Sequence, residues 1–256
     1  YQHDNWGVGL PPARDNQSNW TLHQPLLANP ALDPQPGDIV EARDHFREVL
    51  EIRRRSPLFR LRTGEDVRNR LRFYNTGPEQ IPGLIVMTVT DAEGAIDRST
   101  EEILVAFNAD DEPQTFTLPV SPCPALELHP LQADSSDPVE RTSVFDPATC
   151  GLTVPARTAA VFVEERPVAE QLTLLQADVA ALVTAGALNK GQGNALLTKL
   201  KHALERFQAG KTQAALGSLE AFIDQVEDLI ADGVLTPTEG EPLLAAARAA
   251  VTAITG

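Results

Sequence analysis

A repeat at an offset of 47 residues restricts the fold of the C-terminal segment more than any other feature of the chain. Each copy predicts a helix that ends before a glycine, followed by a helix capped by Asn189 or Thr236. We therefore predict four helices packed as two αα-hairpins, over about 168–185, 190–208, 212–232 and 237–254. The repeated residues are Leu182, Gly186, Leu188, Asn189, Gly193, Leu196 and Leu197, then Leu229, Gly233, Leu235, Thr236, Gly240, Leu243 and Leu244.

The basic residues change type where this helical segment starts. Every basic residue from 1 to 166 other than histidine is arginine, and the lysines all follow Pro167: they are Lys190, Lys199, Lys201 and Lys211. Aromatic residues also become rare after this point. We therefore expect a domain boundary near Arg166 and Pro167.

The middle of the chain has a β pattern. Short runs rich in β-branched and aromatic residues are separated by turn residues, with no helical periodicity between them. This pattern favours an antiparallel β-sandwich over residues 61–166. The candidate strands contain Leu71 and Phe73, residues 84–89, residues 103–107, Phe116 and Leu118, Leu126 and Leu128, and residues 159–163.

The first 37 residues contain six prolines, which predicts mostly loop. Asp38 is a candidate N-cap for a helix over about 39–55. The apolar residues of this helix fall on one face, and they are Ile39, Ala42, Phe46, Val49 and Leu50. The arginine run that follows has Arg68, Arg70 and Arg72 in alternation, which predicts the polar face of a strand.

Charge and hydropathy exclude two classes of partner. The formal net charge of −15 would repel a phosphate backbone, so we expect no nucleic acid. Ion pairs with the many acids explain the arginine run (Arg53, Arg54, Arg55, Arg60, Arg62, Arg68, Arg70 and Arg72) better than a nucleic-acid patch does. No apolar stretch approaches the length of a membrane span.

Several motifs occur in an order that resembles the pullulanases and limit dextrinases, which are starch-debranching enzymes of glycoside hydrolase family 13. The resemblance covers about residues 1–165. Its motifs are Asp4 to Ala13 (DNWGVGLPPA), Ser56 to Thr63 (SPLFRLRT), Asn75 to Pro78 (NTGP), Pro82 to Met87 (PGLIVM), Glu127 to Pro130 (ELHP) and Val154 to Thr158 (VPART).

The resemblance implies a mixed, multi-domain fold. Residues 1–60 would be the last loop and helix of the (β/α)8 barrel, residues 61–166 an antiparallel β-sandwich, and residues 167–256 a four-helix all-α module. The module is similar to the helical domain called FIMAH, for which the resemblance implies no chemistry.

The resemblance also implies an activity, the hydrolysis of α-1,6-glucosidic branch linkages in pullulan, starch or glycogen-derived dextrins by a retaining mechanism. Retaining glycosidases need two carboxyl groups about 5 Å apart. In this family both lie on earlier barrel strands, so we expect no catalytic residue here and no hydrolysis by this chain alone. The first residues show neither an initiator Met nor a signal peptide, and the resemblance implies the C-terminal end of a longer enzyme. The FIMAH-like module resembles one appended to many secreted bacterial enzymes, so we expect a secreted or cell-surface bacterial enzyme whose signal peptide is not in this chain.

A second interpretation stays open, in which the chain acts without a barrel as a stand-alone carbohydrate-binding or protein-interaction module. The face of the predicted helix that carries Ile39, Phe46, Val49 and Leu50 distinguishes the two. A barrel helix separated from its barrel would expose this face, whereas a self-contained module would cover it.

Four residues are candidates for binding a branched α-glucan. Trp6 offers a flat apolar face for a pyranose ring, and Asp4 and Asn5 can form hydrogen bonds with sugar hydroxyls. Asn29 is a fourth candidate, and Trp20 is expected to be structural. The alternative is that Trp6 packs its loop and that Asp4 and Asn5 form turns. Loops after barrel strands form the active face, which favours the functional interpretation.

The chain has two cysteines, Cys123 and Cys150, both in the predicted sandwich. They could form a disulfide in a secreted protein or remain two buried thiols. No Cys/His cluster indicates zinc, and no acidic loop has the regular spacing of a calcium loop. We expect no cofactor and no metal in this chain, although calcium is compatible with the full-length enzyme.

Overall fold

The computed structural model describes Leu10 and residues 12–255. The chain divides between Arg54 and Arg55 into two compact units. The first unit is helical in its described part, and the second holds two antiparallel sheets followed by a set of helices. Among the described residues, no helix is both long enough and apolar enough to cross a bilayer.

The first unit is more helical than the prolines predict. Its helices are α1 (Ala13–Asn16), α2 (Trp20–Leu27) and α3 (Pro36–Arg55), with 3₁₀ turns at Gln17–Asn19 and Pro30–Leu32. The prediction of mostly loop is therefore wrong for the described residues. Pro30 and Pro36 each occupy the first position of a helical turn, where the fixed φ of proline suits a helix and its missing N–H is not needed.

Helix α3 begins at Pro36, before the predicted Asp38 cap. The Asp38 carboxylate instead accepts the backbone N–H of Gln35 at 2.8 Å from within the first turn. A carboxylate at this position satisfies one N–H at the helix start and complements the helix dipole. Asp38 thus stabilises the start of α3, but from inside the helix.

The second unit opens with a helix where the sequence predicted part of a strand. After a 3₁₀ turn at Pro57–Arg60, helix α4 spans Gly64–Arg70 and contains Arg68 and Arg70. The Thr63 hydroxyl accepts the N–H of Asp66 at 3.0 Å and caps this helix. Only Arg72 lies in a strand. The cap at Thr63 explains the difference, because it starts a helix whatever alternation follows.

The strands form two antiparallel sheets, so the antiparallel prediction is confirmed. The five-stranded sheet has the order β1-β2-β3-β8-β5 and the three-stranded sheet the order β4-β7-β6. The strands are β1 (Leu71–Phe73), β2 (Leu84–Thr90), β3 (Thr100–Asn108), β4 (Gln114–Thr117), β5 (Glu127–Leu128), β6 (Val144–Asp146), β7 (Gly151–Val154) and β8 (Thr158–Glu165). A short helix, α5 (Pro130–Ala133), follows β5.

One apolar core joins the two sheets. Leu104 and Phe162 of the larger sheet and Leu152 of the smaller are almost fully buried in it. The rings of Phe145 and Phe162 lie with centroids 6.2 Å apart. Strands β6 and β7 are absent from the predicted set, because their stability comes from pairing with each other and from the shared core, which no local pattern records. Their hairpin turn does carry a local signal, since the Asp146 carboxylate accepts the N–H of Ala148 at 3.0 Å.

Four long helices follow the sheets, α6 (Val168–Ala185), α7 (Lys190–Gln208), α8 (Thr212–Ala231) and α9 (Pro237–Thr255). Asn189 forms a complete capping box with Gln192 at the start of α7. Gly186 and Gly233 have φ of +80° and +70° after α6 and α8, which is the left-handed conformation that glycine adopts at helix ends. Leu175, Leu196, Leu219 and Leu243, one from each helix, lie in a second apolar core.

Buried polar contacts join the sheets to α6. The Arg166 side chain is fully buried and donates to the carbonyls of Asp91 at 2.6 Å and Ala92 at 3.1 Å. It also binds Glu170, in the first turn of α6, at 2.7 Å. A second ion pair, Arg98 to Asp178 at 2.5 Å, links the loop before β3 to the middle of α6. Helix α6 therefore leaves the sheet in a defined direction.

Two equivalent positions of the helical repeat require glycine for steric reasons. A Cβ at Gly193 would overlap the Val183 side chain, and a Cβ at Gly240 would overlap Ile230. Both glycines are buried, and each faces the preceding helix of its own hairpin. A side chain at either position would force the two helices of the hairpin apart.

We predict that Gly193→Ala lowers the free energy of unfolding by about 1–3 kcal/mol, because stiff Val183 cannot move aside at no cost. The matched control is Gly217→Ala, since a Cβ at this exposed position of α8 meets no atom within 4 Å. The control should be neutral or stabilising by up to about 1 kcal/mol, the difference in helix propensity. Urea unfolding of the three proteins measures both effects, and equal stability of the two variants would contradict the steric account.

Candidate functional site

Of the four predicted sugar-binding residues, three lie outside the described residues, namely Asp4, Asn5 and Trp6. The fourth, Asn29, is exposed on the first unit. Its side-chain oxygen accepts the N–H of Ala31 at 3.1 Å and caps the 3₁₀ turn that begins at Pro30. Asn29 thus has a local structural role, and its contact with sugar stays a proposal. Trp20 begins α2 and is half-buried.

A groove of about 660 Å³ lies between the loop before β3 and helices α6 and α9. Its walls are mostly small apolar side chains, with the Arg98–Asp178 ion pair and Glu239 among the polar ones. No Trp, Tyr or Phe is among its described lining residues. A pyranose ring binds best against a flat aromatic face, so this groove has poor chemistry for a sugar.

Several motif residues of the middle segment form structural contacts. The Ser56 hydroxyl donates to Asp97 at 2.5 Å and accepts the N–H of Leu58 at 3.1 Å, which caps the 3₁₀ turn at Pro57. The Asn75 side-chain nitrogen donates to the carbonyls of Ile81 and Leu84, and its side-chain oxygen accepts the N–H of Ile81. The segments that begin at Ser56 and Asn75 therefore hold turns in place.

Two buried aspartates organise the loop between β2 and β3, and no sequence motif had identified them. The Asp91 carboxylate accepts the backbone N–H groups of Ala95, Ile96 and Asp97 and also binds the Arg70 guanidinium. Asp97 accepts from Ser99 and Thr100. Four N–H or guanidinium partners satisfy the fully buried Asp91 carboxylate, so these bonds hold the loop in place at the ends of β2 and β3. The signal in the sequence is weak, since Asp is common in any loop.

His129 is a buried histidine with a perturbed pKa. His129 is 5% exposed. Its Nδ1 accepts the N–H of Leu131 at 3.2 Å, and this bond caps α5. Burial, and secondarily the positive charge of Arg55, lower the pKa of His129 to about 4. The imidazole is therefore neutral at pH 7, and the cap requires this neutral form because a protonated Nδ1 cannot accept a hydrogen bond.

The two cysteines lie side by side. The Cα atoms of Cys123 and Cys150 are 5.6 Å apart and their sulfur atoms are within bonding distance. This Cα separation is typical of a disulfide. We therefore propose a Cys123–Cys150 disulfide that joins the segment before β5 to the start of β7.

Comparison with known proteins assigns these elements to a family. Residues 1–165 match the model of the C-terminal region of pullulanase-type alpha-1,6-glucosidases. The chain belongs to this family. Residues 172–252 match the FIMAH domain, so both resemblances inferred from the sequence are confirmed. The family model describes the C-terminal region of these debranching enzymes, and the catalytic part is not in this chain.

Two similar proteins are named pullulanases. Pullulanase 1, chloroplastic, of Arabidopsis thaliana is 44% identical over 172 residues, which is 65% of this chain and 18% of that protein. A pullulanase of Klebsiella pneumoniae is 32% identical over 166 residues, covering 62% of this chain and 15% of that protein. The chain thus spans less than a fifth of the length of these relatives.

Solved pullulanase structures share the fold of the matched segment. PulA from Klebsiella pneumoniae, in complex with maltotriose, superposes with a TM-score of 0.50 at 27% identity, covering 62% of this chain and 17% of that chain. PulA from Klebsiella oxytoca gives a TM-score of 0.51 at 27% identity, with 62% and 15% covered.

We predict an acid-dependent loss of stability from His129. Its folded pKa lies below the ordinary 6.5, so its contribution is complete above that pH and is lost as the pH falls toward 4. The loss should be about 2 kcal/mol after allowance for solvent screening. His129→Asn keeps a cap acceptor but does not titrate. Between about pH 7.5 and 4.5, urea unfolding should show the wild type losing more stability than this variant. Equal losses would contradict the assignment.

We predict that the unfolded, unreduced chain has no reactive thiol and that reduction exposes two. The proposed disulfide closes a loop with a sequence separation of 27 residues. A loop of that length stabilises the fold by about 3.5 kcal/mol in the chain-entropy model. The Cys123→Ser, Cys150→Ser double variant should therefore unfold at lower denaturant, and reduction should not change its unfolding midpoint. Two titratable thiols in the unreduced wild type would refute the bond.

Proposed function

We propose that this chain is the C-terminal part of a pullulanase-type enzyme that hydrolyses α-1,6-glucosidic linkages in pullulan, starch or glycogen-derived dextrins. The mechanism is retaining, with both catalytic carboxylates upstream of residue 1, and the chain alone is inactive. The family match supports this assignment. The observation that carries the structural part of the proposal is the apolar face of α3.

Most of the predicted apolar face of α3 is left uncovered by the residues that the structure describes, and Ile39 of this face is half-buried. Phe46, Val49 and Leu50 are 64%, 40% and 47% exposed, although they lie at helical spacing on one side. Full burial of each such side chain stabilises a protein by about 1.5–3 kcal/mol, so a helix of this pattern normally packs against something. A self-contained module would cover this face. Its exposure supports the interpretation of α3 as the last helix of a (β/α)8 barrel.

The domain organisation follows from this assignment. Residues 1–60 complete the barrel, residues 61–166 form a β-sandwich, and residues 167–256 form a four-helix module appended to the sandwich. The two separate apolar cores support the division between the sandwich and the helices. The buried Arg166 contacts support a module that is held in place by the sandwich.

The loop at the N-terminal end supplies part of the substrate cleft in this proposal. Trp6 stacks on a glucose ring, and Asp4, Asn5 and Asn29 bind sugar hydroxyls. The enzyme is secreted by a bacterium or displayed on its surface. The Cys123–Cys150 pair supports this location, because disulfides persist in oxidising compartments. Among the relatives, two are Klebsiella proteins and the Arabidopsis protein is named chloroplastic.

The proposal is tested with the native polypeptide from its source. Its intact mass should be well above that of the 256-residue chain, and it should release reducing ends from pullulan. The 256-residue chain should release none. A native polypeptide of 256 residues, or hydrolysis of pullulan by the short chain, would overturn the proposal. In the first case, α-glucan binding by the chain would favour the stand-alone module.

We predict that Trp6→Ala in the complete enzyme lowers kcat/KM for pullulan by about fivefold, since ring stacking contributes about 1 kcal/mol. Trp20→Phe is the matched control, because Trp20 begins α2 and is assigned a structural role. The control should keep its kcat and KM. If Trp6→Ala also kept both values, stacking of Trp6 on the glucan would be refuted.

A further inference from the structure

Strands β5 and β6 are edge strands of the two sheets and lie next to each other. β5 ends the five-stranded sheet and β6 ends the three-stranded sheet. Cα atoms of the two strands lie within 8 Å of each other, yet no ladder joins these described strands. A strand inserted between them would need a gap of about 9.6 Å, because paired strands lie about 4.8 Å apart. The gap, which we name the seam, is therefore too narrow for an extended peptide.

The backbone of β5 presents a donor and an acceptor to the seam. The N–H of His129 donates to the carbonyl of Val161, in β8, at 2.8 Å. In an antiparallel pair the residues that exchange backbone hydrogen bonds alternate with residues that do not. The N–H and the carbonyl of the preceding residue, Leu128, therefore point away from β8 and toward the open edge.

The same alternation applies to β6. The N–H of Leu118 donates to the carbonyl of Cys150 at 2.9 Å, so the next residue of β7, Gly151, turns its backbone groups toward β6. Gly151 is paired with Asp146, and the neighbouring Phe145 therefore points its N–H and carbonyl away from β7. These two groups, like those presented by β5, face the seam and lie outside the ladders of the described strands.

A hollow of about 400 Å³ lies at the seam and is lined by Leu128 and Phe145. Ser143 also lines it, is 4% exposed, and has a buried hydroxyl with no hydrogen-bond partner among the described residues. Because buried hydroxyls nearly always have a partner, this hydroxyl is available to a ligand in the hollow. Glu127 at the hollow is exposed, and its carboxylate forms no ion pair or hydrogen bond within the described chain.

The chemistry of the hollow favours a neutral ligand that carries hydroxyl groups. Among its described lining residues Glu127 is the only charged one, and the net charge of −15 repels anions. Sugar hydroxyls both donate and accept, so they suit backbone N–H groups, carbonyls, a serine hydroxyl and a carboxylate together. Unlike the groove between α6 and α9, this hollow is lined by aromatic rings, those of Phe145 and Phe162, which suit the apolar face of a pyranose.

We propose that the hollow at the seam binds a short stretch of an α-glucan chain. The choice of an α-glucan rests on the proposed function, because a polysaccharide substrate is long enough to reach several surfaces of one enzyme. A contact on the sandwich would hold the polymer and raise the effective concentration of its other segments. The sandwich then contributes to substrate capture as well as to the fold.

The test is an NMR titration of the isotope-labelled 256-residue chain with maltotriose. The amide signals of Leu128, Ser143 and Phe145 should shift, whereas those of Gly217 and Val234 in the helical module should not. Shifts confined to residues 4–6 and 29 would place the sugar on the predicted loop and overturn the inference. An equal response to glycerol, or shifts that depend on protein concentration without sugar, would identify a nonspecific polyol contact or a second copy and would also overturn it.

Ser143→Ala should weaken maltotriose binding by about threefold to tenfold, the effect of one hydrogen bond. Its urea midpoint should stay the same or rise, because the removed hydroxyl has no partner among the described residues. Unchanged affinity, or a loss of affinity that accompanies a loss of stability, would count against the seam.

Glu127→Gln provides a second variant that cannot disturb the core, since Glu127 is exposed. It should weaken binding by a similar factor, because a carboxylate is a stronger acceptor for hydroxyl groups than an amide. Glu220→Gln, at an exposed position of α8, is the matched control and should bind as the wild type does. Equal affinity of the two glutamine variants would exclude Glu127 from the site and overturn the inference.

The inference and the proposed function fail in different ways. Pullulan hydrolysis is measured on the native polypeptide, and maltotriose binding on the 256-residue chain. An active native polypeptide whose 256-residue chain shows no shift at the seam refutes the glucan site alone. An inactive native polypeptide refutes the proposed function, and the titration still decides whether the seam binds the sugar.

Discussion

The contacts of the buried Arg166 guanidinium hold the sheets and the helices of the second unit together. Arg166 lies at the end of β8, where its side chain binds the carbonyls of Asp91 and Ala92 and the carboxylate of Glu170. Leaving a buried charge without partners costs about 3–5 kcal/mol. The loop before β3, the last strand and the first turn of α6 must therefore keep their relative positions. The β-sheets and the four long helices have separate apolar cores, and this constraint holds them in one compact unit.

In the described part of the chain, two apolar surfaces are largely exposed, and both have the pattern of a buried face. On α3 the exposed residues repeat at helical spacing, and on one face of the five-stranded sheet they repeat at every second residue of adjacent strands. The period of each surface matches its own secondary structure, which is expected of faces selected for packing. The proposal that this chain is the C-terminal part of a larger enzyme would account for such faces, and the membership in the pullulanase-type family agrees with it.

The sequence predicted best where a side chain acts on its own backbone. Asn189 and Thr236 were identified as caps, and helices α7 and α9 begin at the following residues. His129 had a place in a family motif, but its role as the cap of α5 required the structure, because histidine is an uncommon cap. The prediction that Arg68 and Arg70 lie in a strand was wrong because it overlooked a local cap. Alternation over three residues is weaker than a capping threonine at Thr63.

Local patterns in the chain were enough to predict the family, the antiparallel strands, the helices and the glycines at which helices end. These properties depend on neighbours along the chain, and local patterns record them. The three-dimensional structure was needed to show that Cys123 lies beside Cys150, that contacts between Asp91 and Arg166 join the sheets to α6, and that Phe73, Ile85 and Phe107 of the five-stranded sheet are exposed. Each of these features depends on segments that are distant in sequence, and local sequence patterns do not specify how such segments pair. The same reason explains why the short strands β6 and β7 were missed, since their stability comes from each other and from the shared core.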